Sequence, residues 1–337
     1  MLPAPSHLSL PAALALFAAS VALSVGSGFL LARSLDRVGA RLRITDGLLG
    51  ILTALGADAP EISTAVAAVV AGHSDLGVGV VLGSNVFNLA ALLGVSAVVA
   101  GGMRIGRRAV TLEGTVAVGI ATLAVLVVTG VLPAWGGAAV AVAMLVPYVW
   151  LISLRPRTIA GEPAIGLRAR LAVAVAEEES AAHPDHHARP AGAGDALLLL
   201  PALAVVIGAS AVSVDAAQAV GRHLGVSQIV LGTLVLAVLT SIPNAVAAIR
   251  LALHGRGSAV VSEAFNSNSA NVVAGLCIPA AIVGLDSGGA GRLTAWWALA
   301  MTLLAVGLLH RGRGLRPTAG WLVIATYAVF VVLVARY

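Results

Sequence analysis

The chain has no lysine; all 20 of its basic residues are arginine. A phosphate-binding loop of the G-x-x-x-x-G-K-[ST] type is therefore excluded, and with it an ATP-driven pump on this chain alone. Cysteine is almost missing too. The single Cys277 sits in an apolar run, forms no disulfide framework, and reads as a small buried hydrophobe. Charge is scarce: 10% of the 337 residues are charged, against 59% hydrophobic. A soluble chain of this length is not so apolar all round. The first apolar run lacks a basic flank, so a cleaved signal peptide is not expected.

What is present instead is a series of apolar stretches of about 20 residues, the length that crosses ~30 Å of hydrocarbon. Only helices and closed barrels satisfy the backbone in lipid, and these stretches are too long and continuous for barrel strands. The fold class expected is an all-α integral membrane protein. Ten spans are read at 8–32, 44–71, 75–101, 109–131, 134–154, 196–220, 226–253, 258–284, 293–310 and 318–335. The polar segment 155–194 divides them five and five, so residues 1–154 and 195–337 form two repeats of opposite sense in the membrane, an arrangement associated with secondary transporters.

Arginine orients the chain. Seventeen of the arginines fall on one side, among them Arg33, Arg104, Arg155, Arg256 and Arg311, while only Arg222, Arg292 and Arg336 fall on the other. The positive-inside rule then puts both termini outside, the 155–194 loop in the cytoplasm, and the protein in the cell membrane. These arginines lie in loops between spans, so the formal net charge of +5 does not point to nucleic acid. The central loop carries Glu177-Glu178-Glu179 and His183-Pro184-Asp185-His186-His187. It reads as a solvated linker, because histidines without a scaffold hold metal only loosely.

Two segments are the same segment written twice. Adding 183 to positions 50–61 and 83–88 gives 233–244 and 266–271 without a gap. The ion-binding segments expected are thus 50–101 and 231–284. Each copy places a proline, Pro60 or Pro243, in mid-span, which should free the backbone carbonyls of Gly56 and Leu239 as cation ligands. Asp58 and Glu61 are three residues apart and share a helix face. An ionisable residue at bilayer depth costs roughly 2.5–3.5 kcal/mol on insertion scales and is functional by default. Ser84 and Asn88 share a face of the next span. In the second copy Thr240, Ser241 and Asn244 match the first patch, and Ser267 and Asn271 the second. Carboxylate, hydroxyl, amide and carbonyl oxygens are hard ligands, suited to Na⁺ or Ca²⁺ rather than Zn²⁺ or copper. Glu263 lies on the stripe of Ser267 and Asn271 and is a candidate for the cytoplasmic mouth. Glu113 and Asp215 read as interfacial, and His73 and Asp75 as a solvated turn.

Ala54-Leu55-Gly56-Ala57-Asp58-Ala59-Pro60-Glu61 and Gly83-Ser84-Asn85-Val86-Phe87-Asn88, with Thr240-Ser241-Ile242-Pro243 and the Ser267/Asn271 spacing, resemble the α-repeats of the calcium/cation antiporter superfamily. The resemblance implies a cation antiporter, not an enzyme, working by alternating access. Cations would bind between the repeats while a peripheral helix pair slides. It implies Glu61, Ser84, Asn88, Thr240, Ser241, Asn244, Ser267 and Asn271 as ion ligands, no cofactor beyond the transported Ca²⁺, Na⁺ or H⁺, and a monomeric transport unit in the lipid bilayer. Two departures stand out. Asn244 and Asn271 are neutral where the family usually or often carries an acid, and Asp58 replaces a serine. Two carboxylates still neutralise one Ca²⁺, and both can hold protons when the metal leaves. Other readings are a monovalent cation/proton exchanger that does not handle Ca²⁺ and a transport-inactive structural member. An intramembrane aspartyl protease lacks its second motif aspartate.

Overall fold

The structure is a computed structural model that describes residues 8–42, 46–105, 107–153, 193–312 and 314–337. Nearly all of the 155–194 loop, including its glutamate and histidine clusters, lies outside them. Among the described residues the chain forms ten rods: α1 Leu10–Leu42, α2 Asp46–Val70, α3 Ser74–Val99, α4 Arg107–Val128, α5 Ala134–Ser153, α6 Ala193–Leu224, α7 Gln228–Leu253, α8 spanning 257–283, α9 Gly289–Gly312 and α10 Pro317–Val334. They match the ten expected spans one for one and form two inverted five-helix repeats. Seven are long and apolar enough to cross a membrane by composition alone. α5 is shorter by that measure, and α2 and α8 are diluted by the polar residues they carry.

The boundaries differ most at α1, which continues to Leu42 rather than ending at 32. Arg33, Arg37 and Arg41 recur every fourth residue, so the charge that marks the membrane surface lies along one helical face without interrupting it. α1 and α6 have 33 and 32 residues. At 1.5 Å per residue each is about 50 Å long, so each must tilt or project beyond the hydrocarbon.

Packing follows the repeat. α1 lies along its counterpart α6, and both pack on α2. α4 packs on its counterpart α9, the π-helical stretch of α3 receives α10, and α8 receives α5. This leaves α2, α3, α7 and α8 at the centre, with α3 almost wholly buried. Exposed Trp135 and Trp150 near the two ends of α5, with Trp296 and Trp321, mark aromatic belts at both membrane surfaces.

The turns fall into two sets. On one side a short antiparallel ribbon joins β1 Met103–Arg104 to β2 Gly314–Leu315, and Gly257 fits against the Arg104 carbonyl. On the other side Asp75 accepts hydrogen bonds from Ser287 Oγ (3.0 Å) and the Gly288 N–H (2.9 Å), and His73 Nδ1 contacts Gln228 Nε2 at 3.3 Å. His73 and Asp75 therefore tie turns together rather than standing in solvent. Three alternate turns meet at each side, as an even number of crossings requires.

The two prolines do not break their helices. α2 runs through Pro60 and α7 through Pro243. Thr64 Oγ1 (2.7 Å) and Ser210 Oγ (3.4 Å) donate to the carbonyl of Pro60 itself, whereas the acceptor that the proline frees is that of Gly56, four residues earlier. The irregular backbone sits elsewhere, in π-helical stretches at Leu89–Val95, Leu231–Leu236 and Asn271–Cys277. The first and last begin beside Asn88 and at Asn271.

The central crossings depend on missing side chains. A Cβ on Gly83 of α3 would lie 2.6 Å from Thr233 Cα and 2.8 Å from its carbonyl oxygen in α7. Neither backbone atom can give way. Gly83→Ala should therefore lower the detergent-solubilised melting temperature by several degrees, the effect of about 1–3 kcal/mol of overpacking. Gly26→Ala, where nothing lies within 4 Å, should leave it unchanged. Equal melting temperatures for the two variants would refute the close crossing.

Candidate cation site

α2 supplies both carboxylates and the other repeat supplies most of what surrounds them. Asp58 and Glu61 are each 1% exposed. Asp58 Oδ1 accepts from Asn244 Nδ2 and Ser267 Oγ, both at 2.7 Å. Glu61 Oε1 accepts from Ser241 Oγ at 2.5 Å, and Oε2 from Asn271 Nδ2 at 2.6 Å. All four donors are neutral. Charge-assisted bonds of this kind are among the stronger hydrogen bonds, but they leave both negative charges uncompensated.

The repeat symmetry is written into these contacts. Ser241 is the counterpart of Asp58 and Asn244 of Glu61, so the Glu61–Ser241 and Asp58–Asn244 bonds are mates under the pseudo-two-fold. A second pair of mates is Asn88 Nδ2 to Ser267 Oγ (3.4 Å) and Asn271 Nδ2 to Ser84 Oγ (3.5 Å). On the axis, Asn85 Nδ2 donates to the Asn268 carbonyl and Asn268 Nδ2 to the Asn85 carbonyl, each at 3.0 Å.

Of the expected ligands, Asp58, Asn244, Ser267 and Asn88 join one hydrogen-bonded network and Glu61, Ser241, Asn271 and Ser84 a second, one around each carboxylate. Thr240 is buried in the same patch, but its hydroxyl donates within its own helix to the Leu236 (2.9 Å) and Ala237 (3.3 Å) carbonyls. Only its lone pairs remain. The Gly56 carbonyl faces α1, 3.7 Å from where a Gly28 Cβ would stand, and so belongs to the α1–α2 contact. Leu239 lies one turn before Pro243 and its side chain packs in the core. Glu263 is part-buried one turn before Ser267, and among the described residues nothing hydrogen-bonds to it. Glu113 is 2% exposed and accepts a hydrogen bond from Ser262 Oγ of α8, so α8 covers it. Asp215 is exposed, as expected near a helix end. Sequence reasoning did not single out Asn85 and Asn268; their offset of 183 was the available signal.

What remains unpartnered is all of one kind. Asp58 Oδ2, Asn88 Oδ1 and Asn271 Oδ1 are buried oxygens with no donor. Orphaned buried acceptors are costly, and here they surround two carboxylates. The oxygens present suit a hard ion such as Na⁺ or Ca²⁺.

Two substitutions follow. Glu61→Gln should lower cation affinity more than tenfold, about 1.4 kcal/mol or more, in equilibrium binding, while the melting temperature holds; wild-type affinity would remove Glu61 from the ligand set. Because Asp58 and Asn244 touch, acid and amide should be exchangeable. Asp58→Ser with Asn244→Glu should then transport better than Asp58→Ser alone. A double variant no better than the single would show that the positions do not share a role.

No curated protein sequence matches the chain. Solved structures do. The sodium-calcium exchanger NCX_Mj soaked with 10 mM Na⁺ and 10 mM Sr²⁺ superposes with a TM-score of 0.61 at 18% identity, covering 95% of this chain and 97% of that one. The same exchanger soaked with 10 mM Na⁺ and zero Ca²⁺ gives 0.60 at 17% identity, over 96% and 99%. With zero Na⁺ and Ca²⁺ it gives 0.58 at 17% identity, over 95% and 98%. At that identity the likeness establishes the fold. In sequence, residues 12–155 and 195–336 match the family described as sodium/calcium exchanger protein, with the unmatched gap falling on the central loop. The chain therefore belongs to the sodium/calcium exchanger protein family and is a multi-pass membrane cation antiporter.

Proposed function

We propose that this antiporter exchanges Ca²⁺ for H⁺ or Na⁺ by alternating access, with proton coupling at least as strong as sodium coupling. The observation that carries the reading is the placement of both carboxylates one turn apart on α2, held only by neutral donors from α7 and α8. Two formal negative charges match one Ca²⁺. Several sodium ions would need charge on the second repeat, where Asn244 and Asn271 offer amides alone. Once the metal leaves, two adjacent carboxylates in a dry site repel each other unless a proton takes its place.

Asp58 and Glu61 act as the charged ligands, with Ser84, Asn88, Thr240, Ser241, Asn244, Ser267 and Asn271 completing the site. One chain supplies every ligand, which supports a monomeric transport unit. The arginine-rich turns, including Arg104, Arg256 and Arg316, face the cytoplasm together with the central loop, and both termini lie outside. The division of the turns into two sets supports this orientation.

The carboxylates must be unprotonated to bind metal, so acid competes with Ca²⁺ and alkaline conditions strengthen binding. Ca²⁺ flux should be driven by an imposed pH gradient in sodium-free proteoliposomes with the membrane potential clamped. Flux only under a sodium gradient would overturn proton coupling. Proton-coupled Na⁺ or K⁺ flux without Ca²⁺ flux would overturn Ca²⁺ as substrate.

A further inference from the structure

Two repeats related by a pseudo-two-fold should make each contact twice, and at one point they do not. Asn88 of α3 and Asn271 of α8 are counterparts, offset by 183. Each amide nitrogen has two protons to place. Asn88 Nδ2 gives its protons to Ser267 Oγ (3.4 Å) and Asn268 Oδ1 (3.1 Å). Asn271 Nδ2 makes the matching contact to Ser84 Oγ at 3.5 Å. Its other proton goes to Glu61 Oε2 at 2.6 Å. The acceptor that the repeat assigns to it is Asn85 Oδ1, the counterpart of Asn268 Oδ1. That oxygen is buried and has no donor among the described residues.

The cause is charge. Glu61 is a carboxylate, whereas its counterpart Asn244 is a neutral amide. A carboxylate accepts hydrogen bonds more strongly than an amide oxygen does. Glu61 therefore draws the Asn271 amide away from Asn85, and Asn244 exerts no such pull on Asn88. Asn88 shows the arrangement left when no acid competes. Its nitrogen is held by the opposite repeat and its Oδ1 has no donor.

We propose that cation binding moves the Asn271 amide nitrogen from Glu61 to Asn85 Oδ1, which makes Asn85 a positioning residue for the transport ligands. This rests on the reading that Glu61 and Asn271 hold the cation. A cation on the Glu61 carboxylate repels an N–H aimed at the same group, and a buried N–H must then find another acceptor. The Asn88–Asn268 bond shows that an amide at this position of the repeat reaches such an acceptor. In the empty site the Asn271 amide ties α8 to α2; in the occupied site it ties α8 to α3. Occupancy thus changes which central helix holds α8. The change is confined to one half of the site, because Asn244 leaves Asn88 where it is.

The test is a double-mutant cycle on equilibrium Ca²⁺ and Na⁺ binding to the purified full chain. Asn85→Ala should lower cation affinity roughly tenfold in the wild-type background, the order of one buried hydrogen bond. It should lower it no further once Asn271→Ala is present. The Asn85 Nδ2 bond to the Asn268 carbonyl is lost in both backgrounds and cancels. Additive losses, or no loss in the wild-type background, would overturn the proposal and leave Asn85 Oδ1 to a water in the small cavity beside it. Wild-type crystals read the same step without substitution. Asn271 should lie within hydrogen-bonding distance of Glu61 in crystals grown without either cation, and of Asn85 Oδ1 in crystals saturated with Ca²⁺ or Na⁺. An Asn271 amide still on Glu61 in the loaded crystals would overturn the proposal. Wild-type affinity in Glu61→Gln would overturn the ligand reading and this proposal with it. Weakened binding in Glu61→Gln without coupling between positions 85 and 271 would overturn this proposal alone.

Discussion

Two buried carboxylates one helical turn apart, with no positive side chain bonded to either among the described residues, are the constraint on which this structure rests. Each would cost several kilocalories per mole in lipid without help. The help comes from the opposite repeat: Ser241, Asn244, Ser267 and Asn271 all donate to α2. Those donors are short side chains, so the helices that bear them must approach closely. That explains the small residues at the crossings, where Gly83 meets Thr233 and Gly232 meets the Leu76 carbonyl. The inverted symmetry, the tight core and the electrostatics of the site are one requirement seen at three scales.

Much of this was legible in the sequence because the bilayer permits few solutions. Apolar length gave the ten rods, and the gapless offset of 183 brought together residues that do bond across the repeat. What escaped was context. Proline in mid-span reads as a helix break, yet α2 and α7 run on through Pro60 and Pro243. Glu113 reads as interfacial from its distance to the helix start, but the neighbouring α8 covers it and offers Ser262. The end of α1 was set too early because charge along one face looks, residue by residue, like the end of a span.

The departures from the family pattern also make sense as geometry. An acid has moved from the position of Asn244 to that of Asp58, and these two side chains are in contact at 2.7 Å. Asn271 is neutral as well, so the acids of the resembled pattern are redistributed and not simply conserved. Both charges now belong to α2, and α7 and α8 contribute only dipoles to the site. In the proposed site a cation is held chiefly by one helix and steadied by the other three.

The two membrane faces are joined by different means. On the arginine-rich side, β1 and β2 stitch the α3–α4 turn to the α9–α10 turn through the backbone. Substituting a side chain does not remove those bonds, provided Gly314 keeps its φ of 135° and its space against the Met103 carbonyl. On the opposite side the α2–α3 and α8–α9 turns meet through side chains, the Asp75 carboxylate and the Ser74 hydroxyl. One side is built like a hinge plate and the other like a latch. A contact made by side chains can be lost to mutation more easily than one made by backbone, so the two faces differ in how readily their turns can part, even though the repeats that form them began as copies.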